Sequence, residues 1–140
     1  MALTVDRPYE VQGVSELMRV LLTASDIYYK GAIVNLTAAG GLAIVASDTA
    51  AQGGTSGVIT DQVTALATPA LYAAIERGRV WIPFAAAAQA DVGDYVYATA
   101  DDTIAKSASN ADPIGKIIDV RVGVSALVDF RCGLPKTALA

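Results

Sequence analysis

The clearest patterning in the chain runs from Arg79 to Ala100, where short apolar runs alternate with turn residues. Val80-Trp81-Ile82 is β-branched and aromatic, a composition that fits a pleated, half-buried surface. Pro83 ends that run, because proline has no N–H to give a strand ladder. Phe84 to Ala90 is rich in alanine and headed by proline, which predicts one or two turns of helix or a close small-residue crossing. Asp91-Val92-Gly93-Asp94 carries turn chemistry, and Tyr95-Val96-Tyr97 resumes an apolar strand. Strand, hinge and strand is the unit on which the rest is built.

Elsewhere the same alternation recurs. Met1 to Gln12 shows no sustained period and contains Pro8, so it reads as an extended arm, able to add a strand to a partner's sheet edge or to remain a free terminus. Ser15 to Leu22 admits a short helix capped by Ser15 or a strand, and the alternation of Leu17, Arg19 and Leu21 with Met18, Val20 and Leu22 favours the strand. Ala32 to Leu36 and Leu42 to Ala46 read as a strand pair joined by Thr37 to Gly41, and Gly57 to Thr60 as a short strand. Ser47 to Ser56 is a small, polar loop, and Asp61 to Thr68 a loop or helical turn. Pro69 to Ile75 admits both a helix with Pro69 in its first turn and a strand, and the strand is favoured because Glu76-Arg77-Gly78-Arg79 continues extended into Trp81. Ile104 to Ser107 is a short strand, and Ile114 to Val122 with Ser125 to Arg131 forms the last hairpin.

Short runs with turns about every ten residues predict an all-β chain, a small single-domain β-barrel or sandwich. It carries a short alanine-rich helical turn and an extended N-terminal arm. The expected divisions are an arm over 1–14, one β domain over 15–133 and a tail over 134–140.

Composition changes this picture in one direction. Of 140 residues 54% are apolar and only 17% charged, so few charges are present to cover the outside. Exposed apolar area commonly marks an interface, which favours a protein that assembles. The net charge of −4 offers no footprint for a phosphate backbone, so neither nucleic acid nor an anionic membrane is an expected partner. Asp6, Arg7 and Glu10 interrupt the N-terminus where a secretory signal would be apolar.

Candidate chemistry is sparse. The chain has no histidine and a single cysteine, Cys132, which excludes Ser-His-Asp and Cys-His catalysis, an internal disulfide and a thiolate zinc cage. Cys132 is expected to be a small buried hydrophobe. The carboxylates Asp91, Asp94, Asp101 and Asp102 fit no calcium-loop spacing and sit where turns use aspartate. Gly53-Gly54-Thr55-Ser56-Gly57 and Gly115-Lys116 both lack the Gly-Lys-Ser/Thr ending of a phosphate loop. No catalytic residue, cofactor site or metal site is expected.

Two groups remain as candidate partner contacts: Val5, Pro8, Tyr9 and Val11 in the arm, and Arg77, Arg79 and Trp81 on one face of an extended run. The latter is either a recognition stripe or a solvated face with ordinary ion pairs. Trp81, Tyr95, Tyr97 and Tyr72 are either core aromatics or a stacking box for carbohydrate.

The order of these elements resembles the small phage-associated head-decoration, or cement, proteins. The resemblance is carried by Tyr29-Lys-Gly-Ala-Ile-Val-Asn-Leu36, Gly57-Val-Ile59 and Glu76-Arg-Gly-Arg-Val-Trp-Ile-Pro83. The alanine-rich hinge, Val92-Gly-Asp-Tyr-Val-Tyr97, Ile114-Gly-Lys116 and Leu127 to Arg131 complete it, so that it spans Ile27 to Gly133. It implies a virion structural protein on the outer surface of the phage head, made in the host cytoplasm. Its partner would be the major capsid protein, and the chain itself a homo-oligomer, a trimer ahead of a dimer. The alternative is a carbohydrate- or cell-surface-binding β module such as a head-fibre domain.

Overall fold

The computed structural model describes residues 3–22, 27–36, 42–45, 56–61, 63–64, 72–107 and 113–132. The connections over 37–41 and 47–55, most of the turn over 61–68, the 134–140 tail and the Cys132 side chain lie outside the described residues. The chain is all-β, with no helix of seven or more residues among those described.

Among the described residues eleven strands follow in order: β1 (Glu10–Leu22), β2 (Ile27–Tyr28), β3 (Ile33–Leu36), β4 (Leu42–Val45), β5 (Ser56–Ile59), β6 (Val63–Thr64), β7 (Tyr72–Pro83), β8 (Tyr95–Ala100), β9 (Thr103–Ala105), β10 (Pro113–Arg121) and β11 (Ser125–Asp129). Nine of them form one sheet in the order β1-β4-β3-β5-β7-β11-β10-β8-β9, and β2 pairs with β6 apart from it. Because β7 also pairs with β1, the pairings return on themselves and the sheet curls as a half-barrel. The expected pairing of the 32–36 and 42–46 runs is present as Val34↔Val45 and Leu36↔Ala43.

β7 is the spine. On one edge it pairs with β5 through Ile59↔Ile75 and then with β11 through Trp81↔Leu127; on the other it pairs with β1 along most of its length. Its side chains alternate, so the faces divide the work. Ala73 and Ile75 enter one core with Val20, Leu22, Tyr28, Val34 and Ile59. Val80 and Ile82 point the other way, into a second core with Ile33, Val58, Val96, Ile114, Ile117 and Phe130. Neighbouring residues of β3, Ile33 and Val34, belong to different cores, as do Val58 and Ile59 of β5. Both short strands are therefore buried on both faces, and even their polar members, Asn35 and Ser56, are out of water. Each such Ile or Phe contributes about 1.5–3 kcal/mol by leaving water.

Two elements differ from the sequence reading. The first strand begins at Glu10, inside the segment assigned to the arm, because Glu10 to Gln12 pair with Trp81 to Arg79 before a bulge near Gly13. In Phe84 to Ala90 the alanines form a turn, and only Gln89–Asp91 closes, as a single 3-10 turn. Alanine's helix propensity is overridden there by the ties that hold the hinge to the β10–β11 turn, Phe84 N–H to the Val124 carbonyl (3.0 Å) and Gly123 N–H to the Ala87 carbonyl (2.8 Å).

Candidate functional site

Of the seven candidate contacts, the fold brings Pro8, Tyr9 and Trp81 into one groove. It lies between the entry to β1, the end of β7 and the β10–β11 turn, and has a volume of about 410 Å³. Glu10, Pro83, Arg121, Val124 and Ser125 complete its lining. These five were not singled out from the sequence. The available signal was register: Glu10 and Trp81 are Cα partners across β1 and β7, and Ser125 pairs with Pro83 across β11 and β7.

Trp81 lies on the face of β7 opposite the second core, and only 8% of it is exposed. Arg121 covers it, with the guanidinium carbon 4.0 Å from the ring centroid. The same guanidinium donates to both Glu10 carboxylate oxygens, at 3.0 and 3.4 Å. A planar, delocalised cation suits both contacts at once. The groove floor thus carries one positive and one negative group that neutralise each other. Trp81 Nε1 and Ser125 Oγ are sealed from solvent without a hydrogen-bond partner. With main-chain pairing on both edges of β7 at Trp81, the nearby carbonyls are already engaged.

The remaining candidates fall elsewhere. Val5 is 67% exposed, and Val11 is half-buried against the second core. Arg77 is an internal clasp: it donates to the Ser56 carbonyl (3.0 Å), the Phe130 carbonyl (3.2 Å) and Glu16 (2.9 Å). Arg79 is exposed, with Asp129 at 3.9 Å. The three residues share a face of β7, yet Arg77 is committed inward and Trp81 is covered. Nor do the aromatics form a box. Two strands, β11 and β10, separate Trp81 from Tyr95 and Tyr97, and Tyr95 and Tyr72 have Lys116 and Arg19 over their rings.

The arm lies on its own domain. Leu3 N–H donates to Asp101 Oδ1 (2.8 Å), Arg7 N–H to the Lys30 carbonyl (2.8 Å), and Lys30 N–H to Asp6 Oδ1 (3.0 Å). Arg7 reaches the Asp102 and Gly31 carbonyls as well.

The aspartates divide by surroundings. Asp91 is buried and accepts from Lys106 Nζ (2.6 Å) and from Ala88 N–H (2.9 Å), and these bonds hold its carboxyl below the usual range. At Asp101 burial pushes the carboxyl up, only partly opposed by the Leu3 N–H. Burial also acts on Asp129, but the Arg131 side chain and N–H, with Arg79 nearby, outweigh it and the net shift is downward. Each carboxylate is held by main-chain N–H groups or a neighbouring cation, as turn and hairpin chemistry requires. Among the described residues no group of three or more Cys, Asp or Glu is placed to hold a metal ion. Comparison with family models, curated proteins and solved structures finds no match to this chain.

Proposed function

We propose that this chain is a phage virion structural protein that binds the outer surface of the assembled head and stabilises it, with the major capsid protein as partner. The observation that carries the reading is the distribution of apolar surface. Val122 and Val124, at the tip of the β10–β11 hairpin, are 67% and 63% exposed, and Leu17 on the outside of β1 is 68% exposed. Large apolar side chains on a sparsely charged surface suit a protein that covers seams in a larger shell. The motif resemblance to head-decoration proteins supports the same reading. Apolar contacts of this kind contribute roughly 25 cal/mol per Å² buried, and repetition over many equivalent sites multiplies a modest energy. A symmetric homo-oligomer, a trimer ahead of a dimer, fits local symmetry axes of an icosahedral head.

The carbohydrate-binding alternative has less support. A stacking platform needs an open ring face, and Arg121 occupies that of Trp81.

Mixing the purified chain with undecorated, expanded heads of its own phage tests the proposal. Saturable, stoichiometric binding with raised heat resistance of the heads is expected, together with a solution mass above that of the monomer. Failure to bind any form of the head overturns it.

A further inference from the structure

The β10–β11 tip and the alanine hinge are far apart in sequence, yet they are bonded to each other as one unit. Arg121 to Val124 closes as a turn through Val124 N–H to the Arg121 carbonyl (2.8 Å), and Phe84 to Ala87 through Ala87 N–H to the Phe84 carbonyl (3.1 Å). Two further bonds cross between the turns: Phe84 N–H donates to the Val124 carbonyl (3.0 Å) and Gly123 N–H to the Ala87 carbonyl (2.8 Å). Gly123 holds its place at a φ of 73°, where a side chain would be strained. Phe84 roots the hinge against the second core, and Arg121 roots the tip through its bonds to Glu10 and its contact with the Trp81 ring. The residues that the pair leaves exposed include Ala85, Ala86, Val122 and Val124. No charged residue occurs in 83–90 or 122–124, and Arg121 beside them is neutralised by Glu10 at 3.0 Å.

We propose, resting on the capsid-binding reading above, that these paired turns are the docking element, a preformed surface that seats on an uncharged, apolar seam of the major capsid protein. The charge pattern selects the partner surface. A neutral apolar patch offers no counter-charge, so a charged seam would lose its water uncompensated, whereas a neutral one loses nothing. The same argument sets the paired turns apart from β1. Leu17 is as exposed as Val122, but its cross-strand partner is Glu76 and Arg19 lies two residues along the same face, so covering it would desolvate charge as well. The cross-bonds supply the other requirement. They leave the turns little conformational freedom to lose on docking, and the main-chain groups they use need no partner from the capsid.

Ala86→Asp and Ala86→Lys put either sign of charge on the exposed turn without removing a cross-bond. Undecorated, expanded heads of the chain's own phage are titrated with wild-type and variant chains, and bound copies are counted by densitometry. Both variants should bind more than about tenfold more weakly than the wild type, because either charge loses its water at a neutral seam. Amide exchange on the free ¹⁵N-labelled chain reads the preformed state. The Phe84 and Gly123 N–H groups should exchange at least about tenfold more slowly than in the unfolded chain, in the wild type and in both variants. Wild-type affinity in either variant, tighter binding by one of them, or unprotected Phe84 and Gly123 amides in the wild type overturns the docking surface. A solution mass lowered by Ala86→Asp puts a second copy of the chain on the turns and overturns it too. Retained affinity in the variants leaves head attachment standing through another face, whereas failure of the wild-type chain to bind heads removes the capsid reading itself, and this one with it.

Discussion

The Tyr9 hydroxyl donates to Glu76 Oε1 at 2.8 Å, joining the entry of the first strand to the middle of the spine. Ser15 donates to the other carboxylate oxygen at 2.6 Å, so Glu76 ties β7 both to the residue before β1 and to the irregular stretch between Gln12 and Glu16. Burial first, and then the bond to Glu76, push the Tyr9 phenol well above its ordinary value. Tyr9→Phe should lower stability by about 1–2 kcal/mol, the lower part of the range for a charged acceptor because the site is partly open to water. Glu76→Ala should do more harm, since two hydroxyls lose their acceptor. Urea denaturation of the two variants checks the order.

The same pair sets an alkaline limit. A phenol whose folded pKa is raised stabilises the fold fully below the unfolded value of about 10, and that contribution falls as pH climbs through and beyond it. Tyr9 should resist ultraviolet titration until the chain unfolds. In Tyr9→Phe the number of late-titrating phenols should fall by one, and the midpoint of alkaline unfolding should move less steeply with pH.

At the other end of the scale, Asp91 contributes to acid stability. Its carboxyl is held low by the hydrogen bond from Lys106 and by Ala88 N–H, so its contribution is present above about pH 4 and lost as pH falls through the folded value. Asp101, raised by burial, acts with the opposite sign: ionising it as pH rises reduces stability. Asp91→Asn should therefore flatten the acid side of a stability–pH profile, while Asp101→Asn should leave the acid loss in place and steepen it. Denaturation midpoints between about pH 2 and 7 decide between the two.

Much of this architecture was legible in the chain. Val80-Trp81-Ile82 before Pro83 and Tyr95-Val96-Tyr97 after the turn are local signals, and both strands lie where those signals put them. The alternation of Leu17 with Met18 in Ser15 to Leu22 also gave a strand correctly. What local pattern did not carry was strand order. Trp81, Tyr95 and Tyr97 are close in sequence, yet β11 and β10, drawn from the far end of the chain, insert between them. Arg121 over Trp81 and Ser125 beside Pro83 arise from that same insertion. Sequence distance hid the groove: Pro8 and Tyr9 were candidate contacts of the arm, with nothing local to join them to Trp81.

Gly115 shows a second kind of illegibility. Beside Lys116 it suggests a fragment of a phosphate loop, but its role is close approach: a Cβ there would collide with the Asp129 carbonyl across β11, next to the bulge that separates Pro113 from Gly115 in the ladder to β8. Gly115→Ala should destabilise by roughly 1–3 kcal/mol through overpacking against backbone. Gly13 offers the contrast, with open space around it but φ at 77°, so Gly13→Ala should lose about 1–2 kcal/mol from backbone strain alone. Gly13→Asn, a residue that visits that region more readily, should recover part of the loss, whereas Gly115→Asn should not. Thermal melts of the four variants separate crowding from strain.

The exposed valines of the β10–β11 tip test the capsid proposal most directly. Val122 and Val124 are largely in water, so Val122→Asp should change solution stability by no more than about 0.5 kcal/mol. Docked against a capsid seam, the same side chain would leave water, and its replacement by a carboxylate would also bury a charge. The loss should be at least about 1.5 kcal/mol per site, more than tenfold in affinity for heads. Leu17→Asp, on the outside of β1, reports on a different face of the same domain. A loss confined to Val122→Asp assigns docking to the hairpin tip, and a loss confined to Leu17→Asp assigns it to β1. Wild-type occupancy of heads by both variants, counted by densitometry of purified particles, would remove apolar docking through either face as the basis of attachment.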